Sequence, residues 1–276
     1  MASTEVAYLG PVGTYSHLLV EKRFGSACKP VPLPTILDIC TFVSRDPRRM
    51  GIVPIENSSG GTIYETIDIL LANKPKVFVQ EELSLEVKLA LIGCKGERIK
   101  ILYSHFAPLE HAVAWIKRHL PKVEKRVVVS TAAAAQRAAA ERHAAALGSR
   151  KLARLYDLDV IEYPVEADIP NITSFLVVAG RKRKIVKPTK TTLAVRLPNK
   201  PGSLCSFLET FRDEAVDLSR LISRPLRGRP REYAFLVDIT GGASSPSVKR
   251  ALAQAREFSV ELRVVGSYPS RRRYKS

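Results

Sequence analysis

The chain has 276 residues, enough for two domains of ordinary size, and a hydrophobic content of 45% that supports a packed core rather than disorder. No stretch approaches the roughly twenty apolar residues of a membrane-spanning helix. The opening MASTEVAYLG lacks the basic-then-apolar pattern of a secretory signal, so a cytoplasmic protein with no membrane partner is expected.

The net charge of +17 is unevenly spread: from Asp168 to Glu209 eight Lys or Arg and no acid intervene, and the closing SRRRYKS adds four more. These runs show no interleaved aromatics, no zinc spacing and no helix-turn-helix pattern. They read as a linker and a tail, and no specific nucleic-acid partner is expected. A positive field also suits an anionic small molecule. Cys28, Cys40, Cys94 and Cys205 form no CxxC pair and have no His at ligand spacing. They are expected to be free thiols, with no metal and no cofactor.

In chain order, EVAYLG reads as a buried strand followed by the turn Gly10–Gly13, with Thr14 or Ser16 capping a helix to about Phe24. Pro30, Pro32 and Pro34 forbid regular helix. Thr35 caps a short helix, ILDICTFV. Gly51–Ile55 is an apolar strand entering a polar, glycine-containing turn, after which Thr62 opens a helix, TIYETIDILLA. VFVQEELSLEVKLALIGC alternates and reads as one or two strands. ILYSH is a strand, LEHAVAWIKRHL one amphipathic helix, and RVVVSTAAAAQRAAAERHAAALGS strand, helix, strand. The alanines suit close packing of that helix on a sheet. DVIEYPV and NITSFLVVAG are further strands. Residues 1–181 thus form an α/β unit. The basic linker RKRKIVKPTK leads to a second unit, residues 190–268, with the order βαββαβ, a ferredoxin-like arrangement.

Several segments together resemble the prephenate dehydratases. GPVGTYSH (Gly10–His17) and VPIENSSGGTI (Val53–Ile63) resemble that family's first and second signatures, and YSH (Tyr103–His105) and STAAAA (Ser130–Ala135) match shorter stretches. NITSFLVV falls at its asparagine-x-threonine-arginine-phenylalanine motif, with Ser174 in place of the arginine. The second unit resembles the family's ACT regulatory domain, PGSL (Pro201–Leu204) lying at a ligand loop and ISRP (Ile222–Pro225) at the glutamate-serine-arginine-proline motif.

The resemblance implies a two-lobed catalytic domain like a type II periplasmic binding protein, with lobes 1–76 plus 170–180 and 77–169 and the site in the cleft between them. It implies decarboxylating dehydration of prephenate to phenylpyruvate, inhibition by L-phenylalanine, and a homodimer or homotetramer. Hydroxide departure needs a proton donor, and Thr173 is the leading candidate. Thr14, Tyr15, Ser16, Asn57, Ser58, Ser59, Asn171, Ser174 and Phe175 are expected to bind substrate. Asn199, Pro201, Gly202, Ser203, Leu204, Ser223, Arg224 and Pro225 are expected to bind phenylalanine. Glu56, beside an anionic substrate, either orients its neighbours or faces away. Two other readings stay open: arogenate dehydratase, and a non-catalytic small-molecule sensor.

Overall fold

The computed structural model describes residues 4–166, 170–183, 185–226, 228 and 231–276. Residues 1–3 and 167–169 of the expected lobes, Lys184 of the basic linker and the side chains of Arg271 and Arg272 in the tail lie outside the described residues.

The first lobe begins with β1 (Thr4–Leu9), α1 (Tyr15–Phe24), β2 (Cys28–Leu33), α2 (Ile36–Ser44), β3 (Met50–Asn57), the two-residue β4 (Gly61–Thr62), α3 (Tyr64–Ala72) and β5 (Phe78–Glu86). Pro30 and Pro32, which exclude helix, are accommodated because β2 is an edge strand that pairs only with β1 among the described residues. Thr14 and Thr35 cap α1 and α2, accepting from His17 N and Asp38 N. Thr62 does not cap a helix as expected: it lies in β4, and α3 starts after Ile63 with no side-chain cap.

The second lobe holds β6 (Ala90–Gly93), β7 (Ile101–Ser104), α4 (Phe106–His111), α5 (Val113–His119), β8 (Glu124–Val127), α6 (Thr131–Ala140), β9 (Ala144–Gly148), α7 (Arg150–Leu155) and β10 (Asp159–Glu162). Its sheet has the order β10-β6-β9-β7-β8. The single helix expected over LEHAVAWIKRHL is broken at Ala112, whose ψ of 14° leaves the helical range. In α6, Ala132, Ala134, Ala135 and Ala138 are buried against this sheet, the close packing that alanine permits.

The boundary between lobes differs from expectation. β5 was assigned by sequence to the second lobe. It instead pairs along its whole length with β11 (Ile172–Ala179), which returns to the first lobe, so its backbone belongs to that lobe's sheet while Leu83 and Leu85 pack in a core that both lobes share. The chain crosses at Val87–Leu89 and again near Val165–Asn171. There Val87 N donates to Asn171 O at 2.7 Å and Val165 N to Leu89 O at 2.8 Å.

The second unit comprises β12 (Lys190–Arg196), α8 (Ser203–Asp213), β13 (Leu218–Pro225), β14 (Tyr233–Thr240), α9 (Pro246–Glu257) and β15 (Glu261–Tyr268). Its strand order β13-β14-β12-β15 is the expected ferredoxin-like one. It is not a separate body: β15 meets β5 at Gly266–Val79, so the first-lobe sheet continues into the sheet of the second unit. The segment read as a basic tail is a strand, β16 (Ser270–Lys275), parallel to β5. Ser276 follows it to the lobe crossing, where its Oγ accepts from Lys88 N at 2.7 Å.

Candidate active site

A cleft of about 430 Å³ opens between the lobes, of a size suited to a small organic ligand. The expected donor Thr173 lines it, as do Thr14, Tyr15, Ser16, Asn57 and Asn171 of the residues expected to bind substrate.

At its floor, β3 and β11 pair with Asn57 opposite Thr173. The Asn57 side-chain oxygen accepts from Ser59 N at 2.9 Å and Gly60 N at 2.8 Å. Two N–H donors fix which end of the amide is oxygen. Asn57 Nδ2 therefore points the other way, donating to Thr173 Oγ1 and to Asn171 Oδ1, each at 2.8 Å. Thr173 is thus an acceptor toward Asn57, and its own hydroxyl hydrogen is free for the cleft.

Neither Lys nor Arg lines the cleft among the described residues. Among the described residues Glu65 is the one Asp or Glu in the lining, its Oε1 accepting from Leu37 N at 3.2 Å, and the donors for an anion come from backbone. Thr14 satisfies the third amide of α1 and Ser130 the third amide of α6, at Ala133. The first two amides of each helix, on Tyr15 and Ser16 and on Thr131 and Ala132, have no intrahelical acceptor. Both helix starts border the cleft, one from each lobe. Aligned helix dipoles and free N–H groups favour an anion at each. Ser130, Thr131 and Thr35 were not among the expected binding residues. The cap pattern used for Thr14 would have found them.

His105 also lines the cleft, but its ring caps α4, accepting from Ala107 N at 3.4 Å, and burial holds its imidazole below the ordinary value. It is neutral at pH 7. Burial pushes the Tyr15 phenol well up, and its hydroxyl donates to Lys88 O at 3.1 Å.

Four expected residues are placed elsewhere. Ser58 Oγ donates to Pro170 O and accepts from Ile172 N, fastening the start of β11. Ser59 Oγ lies 3.1 Å from His111 Nδ1, linking the two lobes outside the cleft lining. Phe175 is buried in the core. Ser174 pairs with Glu56, and strand alternation puts both on the face opposite Thr173. Glu56 accordingly faces away from the cleft, toward Arg220 at 3.1 Å. An arginine at position 174 would not enter the cleft, so its absence removes no cation from it.

In the second unit, Asn199–Leu204 form the turn from β12 into α8, with Gly202 left-handed at φ 81°. Ser223, Arg224 and Pro225 end β13, which is not beside β12 in space. Arg196 and Arg224 flank Ala234 of the intervening β14, so the two motifs stand about 10 Å apart. Arg224 is engaged bidentately by Asp68 of α3 at 2.6 and 2.7 Å.

A family model for prephenate dehydratase matches residues 6–183. A bifunctional chorismate mutase/prephenate dehydratase of Pseudomonas aeruginosa is 34% identical over 267 residues, covering 96% of this chain and 73% of that protein. The solved structure of an Arthrobacter aurescens prephenate dehydratase in complex with L-Phe is similar with a TM-score of 0.87 at 28% identity, covering 96% of this chain and 90% of that one. A protein described as a novel type of quorum-quenching acylase is similar with a TM-score of 0.86 at 26% identity, over 97% and 98% of the two chains. With its two-lobed cleft, its paired helix starts and its Asn57-bound threonine, the chain belongs to the prephenate dehydratase family.

Proposed function

We propose that this protein converts prephenate to phenylpyruvate, carbon dioxide and water in the interlobe cleft, and that L-phenylalanine inhibits it. The observation that carries the reaction is Thr173, held as an acceptor by Asn57 so that its hydrogen is presented to the cleft. As the ring carboxylate leaves as carbon dioxide, its bonding pair completes the aromatic ring and expels the ring hydroxyl. The Thr173 hydrogen passes to that oxygen, forming water, and solvent restores the proton. Aromatisation supplies the driving force, so an oriented, weakly acidic donor suffices. The substrate's two carboxylates are held by the starts of α1 and α6, with Ser16 and Thr131 beside them.

A Ser–His contact, Ser59–His111, lies near the cleft, as acyl transfer would need. The amides of Ser59 and Gly60 are already taken by Asn57, so they offer no oxyanion site. The dehydratase reading is therefore the better supported.

Phenylalanine is assigned to the Asn199–Leu204 turn, with Ser223, Arg224 and Pro225 at the same sheet end supplied by a second copy in a dimer or tetramer. The L-Phe complex of the A. aurescens relative supports an effector of this kind. Prephenate consumption and phenylpyruvate appearance, with and without phenylalanine and with arogenate as the competing substrate, test the assignment. No turnover of either substrate would leave a sensor.

A further inference from the structure

Arg220 belongs to the regulatory strand β13, yet its guanidinium reaches the back of the catalytic strand pair. One nitrogen donates to Asp238, and the other to Glu56 at 3.1 Å and Glu82 at 3.3 Å. Asp238 is fully buried, also accepts from Thr192 Oγ1 at 2.6 Å, and anchors the guanidinium to the regulatory core. Lys190 adds a second cation on Glu82. Planar guanidinium is the group suited to bridging several carboxylates at once.

The contact falls at a weak point of the sheet. The β3–β11 register shifts between Ser174 and Phe175, immediately beside the catalytic pair. Such bulges disrupt the ladder and loosen the strand locally. β4 pairs with the Glu56–Asn57 backbone from the other side, and the Glu56 side chain is held by Arg220. Glu56 and Asn57 are consecutive: one faces Arg220, the other holds Thr173.

We propose that Arg220 is a positioning residue for the dehydration, holding Glu56 and through it the Asn57–Thr173 hydrogen bond. The regulatory domain thereby supports turnover even without effector. This rests on the dehydratase reading of the cleft. Sub-ångström placement of a catalytic group is worth one to two orders of magnitude in rate, so the expected effects lie toward the lower end of that range.

The test is steady-state turnover of prephenate by the full-length protein carrying Arg220→Ala, Arg220→Lys, Glu56→Gln, or Arg220→Ala with Glu56→Gln. Arg220→Ala and Glu56→Gln should each lower kcat about tenfold with KM nearly unchanged. The double variant should be no slower than the slower single, and Arg220→Lys should fall between wild type and Arg220→Ala. Wild-type kcat in Glu56→Gln, or single effects that multiply in the double variant, would overturn the proposal. Glu56 has a side chain 49% exposed, so its substitution decides the matter even where Arg220→Ala does not fold. Amide hydrogen exchange at Asn57, Ser58 and Thr173, faster in Glu56→Gln, reads the same effect without turnover. An inactive wild type would sink the dehydratase reading, and unchanged exchange would sink the Arg220 proposal.

Discussion

Asn57 Nδ2 stands 2.8 Å from Thr173 Oγ1 and can only be the donor, because the amide's oxygen is held by Ser59 N and Gly60 N. The pair joins two segments 116 residues apart, the second-signature turn and the returning strand β11. Thr173→Ala should lower kcat by at least about a hundredfold, the scale for losing a positioned donor, and Thr173→Ser should retain much more. Asn57→Asp should act in the same direction, since a carboxylate can only accept, and Thr173 would then turn its hydrogen away from the substrate. Single-turnover phenylpyruvate formation checks all three. Wild-type rates in Thr173→Ala would end the assignment.

The absence of Lys and Arg from the cleft lining gives a second prediction. An acidic residue in the first turn of α6 stabilises the helix through its dipole but repels an anion bound there. Thr131→Asp should therefore raise KM for prephenate several-fold, with some loss of melting temperature because Thr131 is buried. Ser174→Arg should not improve turnover, because position 174 faces Glu56 and Arg220 rather than the cleft. A large gain in kcat from Ser174→Arg would contradict this placement.

His17 supplies a pH dependence. Burial is the larger cause holding its imidazole below the ordinary value, opposed by Glu21 and assisted by Lys151. Its Nδ1 accepts from Gly13 N at 3.2 Å, which requires the neutral ring, and the ring stacks on Tyr8. The folded protein takes up this proton less readily than the unfolded chain. The contribution is therefore complete above the unfolded value of about 6.5 and is lost as pH falls through the lower folded value. Protonation also breaks the turn that presents the Tyr15 and Ser16 amides. Melting temperature and prephenate affinity should decline together as pH falls below the ordinary imidazole value, and His17→Gln should flatten both slopes over that range. Equal slopes in the two proteins would show that another group is responsible.

Much of the cleft was legible because caps and turns are local chemistry. Thr14, Thr35, the strand-entering asparagine and threonine of NITSF, and the βαββαβ order all follow from patterns a few residues long. What was not legible depended on partners distant in sequence. Nothing within VFVQEELSLEVKLALIGC says that β5 stays with the first lobe, since that is decided by β11, some ninety residues on. Nothing in SRRRYKS marks a strand until β5 offers an open edge to pair with. Ser174 stands at the motif's arginine and so is expected in the cleft, but in a strand it faces the side opposite its neighbour Thr173.

The continuous sheet predicts that the catalytic lobes do not stand alone. Val79, Leu176 and Val178 of the first lobe share one core with Ala194, Leu236, Val265 and Tyr268 of the regulatory unit. Gly266 lies so close to β5 that a Cβ there would collide with Val79 O and meet Val79 Cβ at 2.8 Å. A chain ending near Arg181 should expose that core and aggregate or unfold rather than retain uninhibited turnover. Gly266→Ala in the full chain should lose about 1–3 kcal/mol of stability, the usual cost of overpacking, and lower turnover as the sheets part. Gly202→Val is the contrasting case. Among the described residues no atom beyond its chain neighbours lies within 4 Å of a Cβ at Gly202, so the cost is the left-handed backbone, and the change is confined to the turn proposed for phenylalanine. It should keep basal dehydratase activity and lose calorimetric phenylalanine binding and inhibition. A folded, active fragment ending near Arg181 would show that the shared core is dispensable, and undiminished phenylalanine binding by Gly202→Val would move the effector away from the Asn199–Leu204 turn.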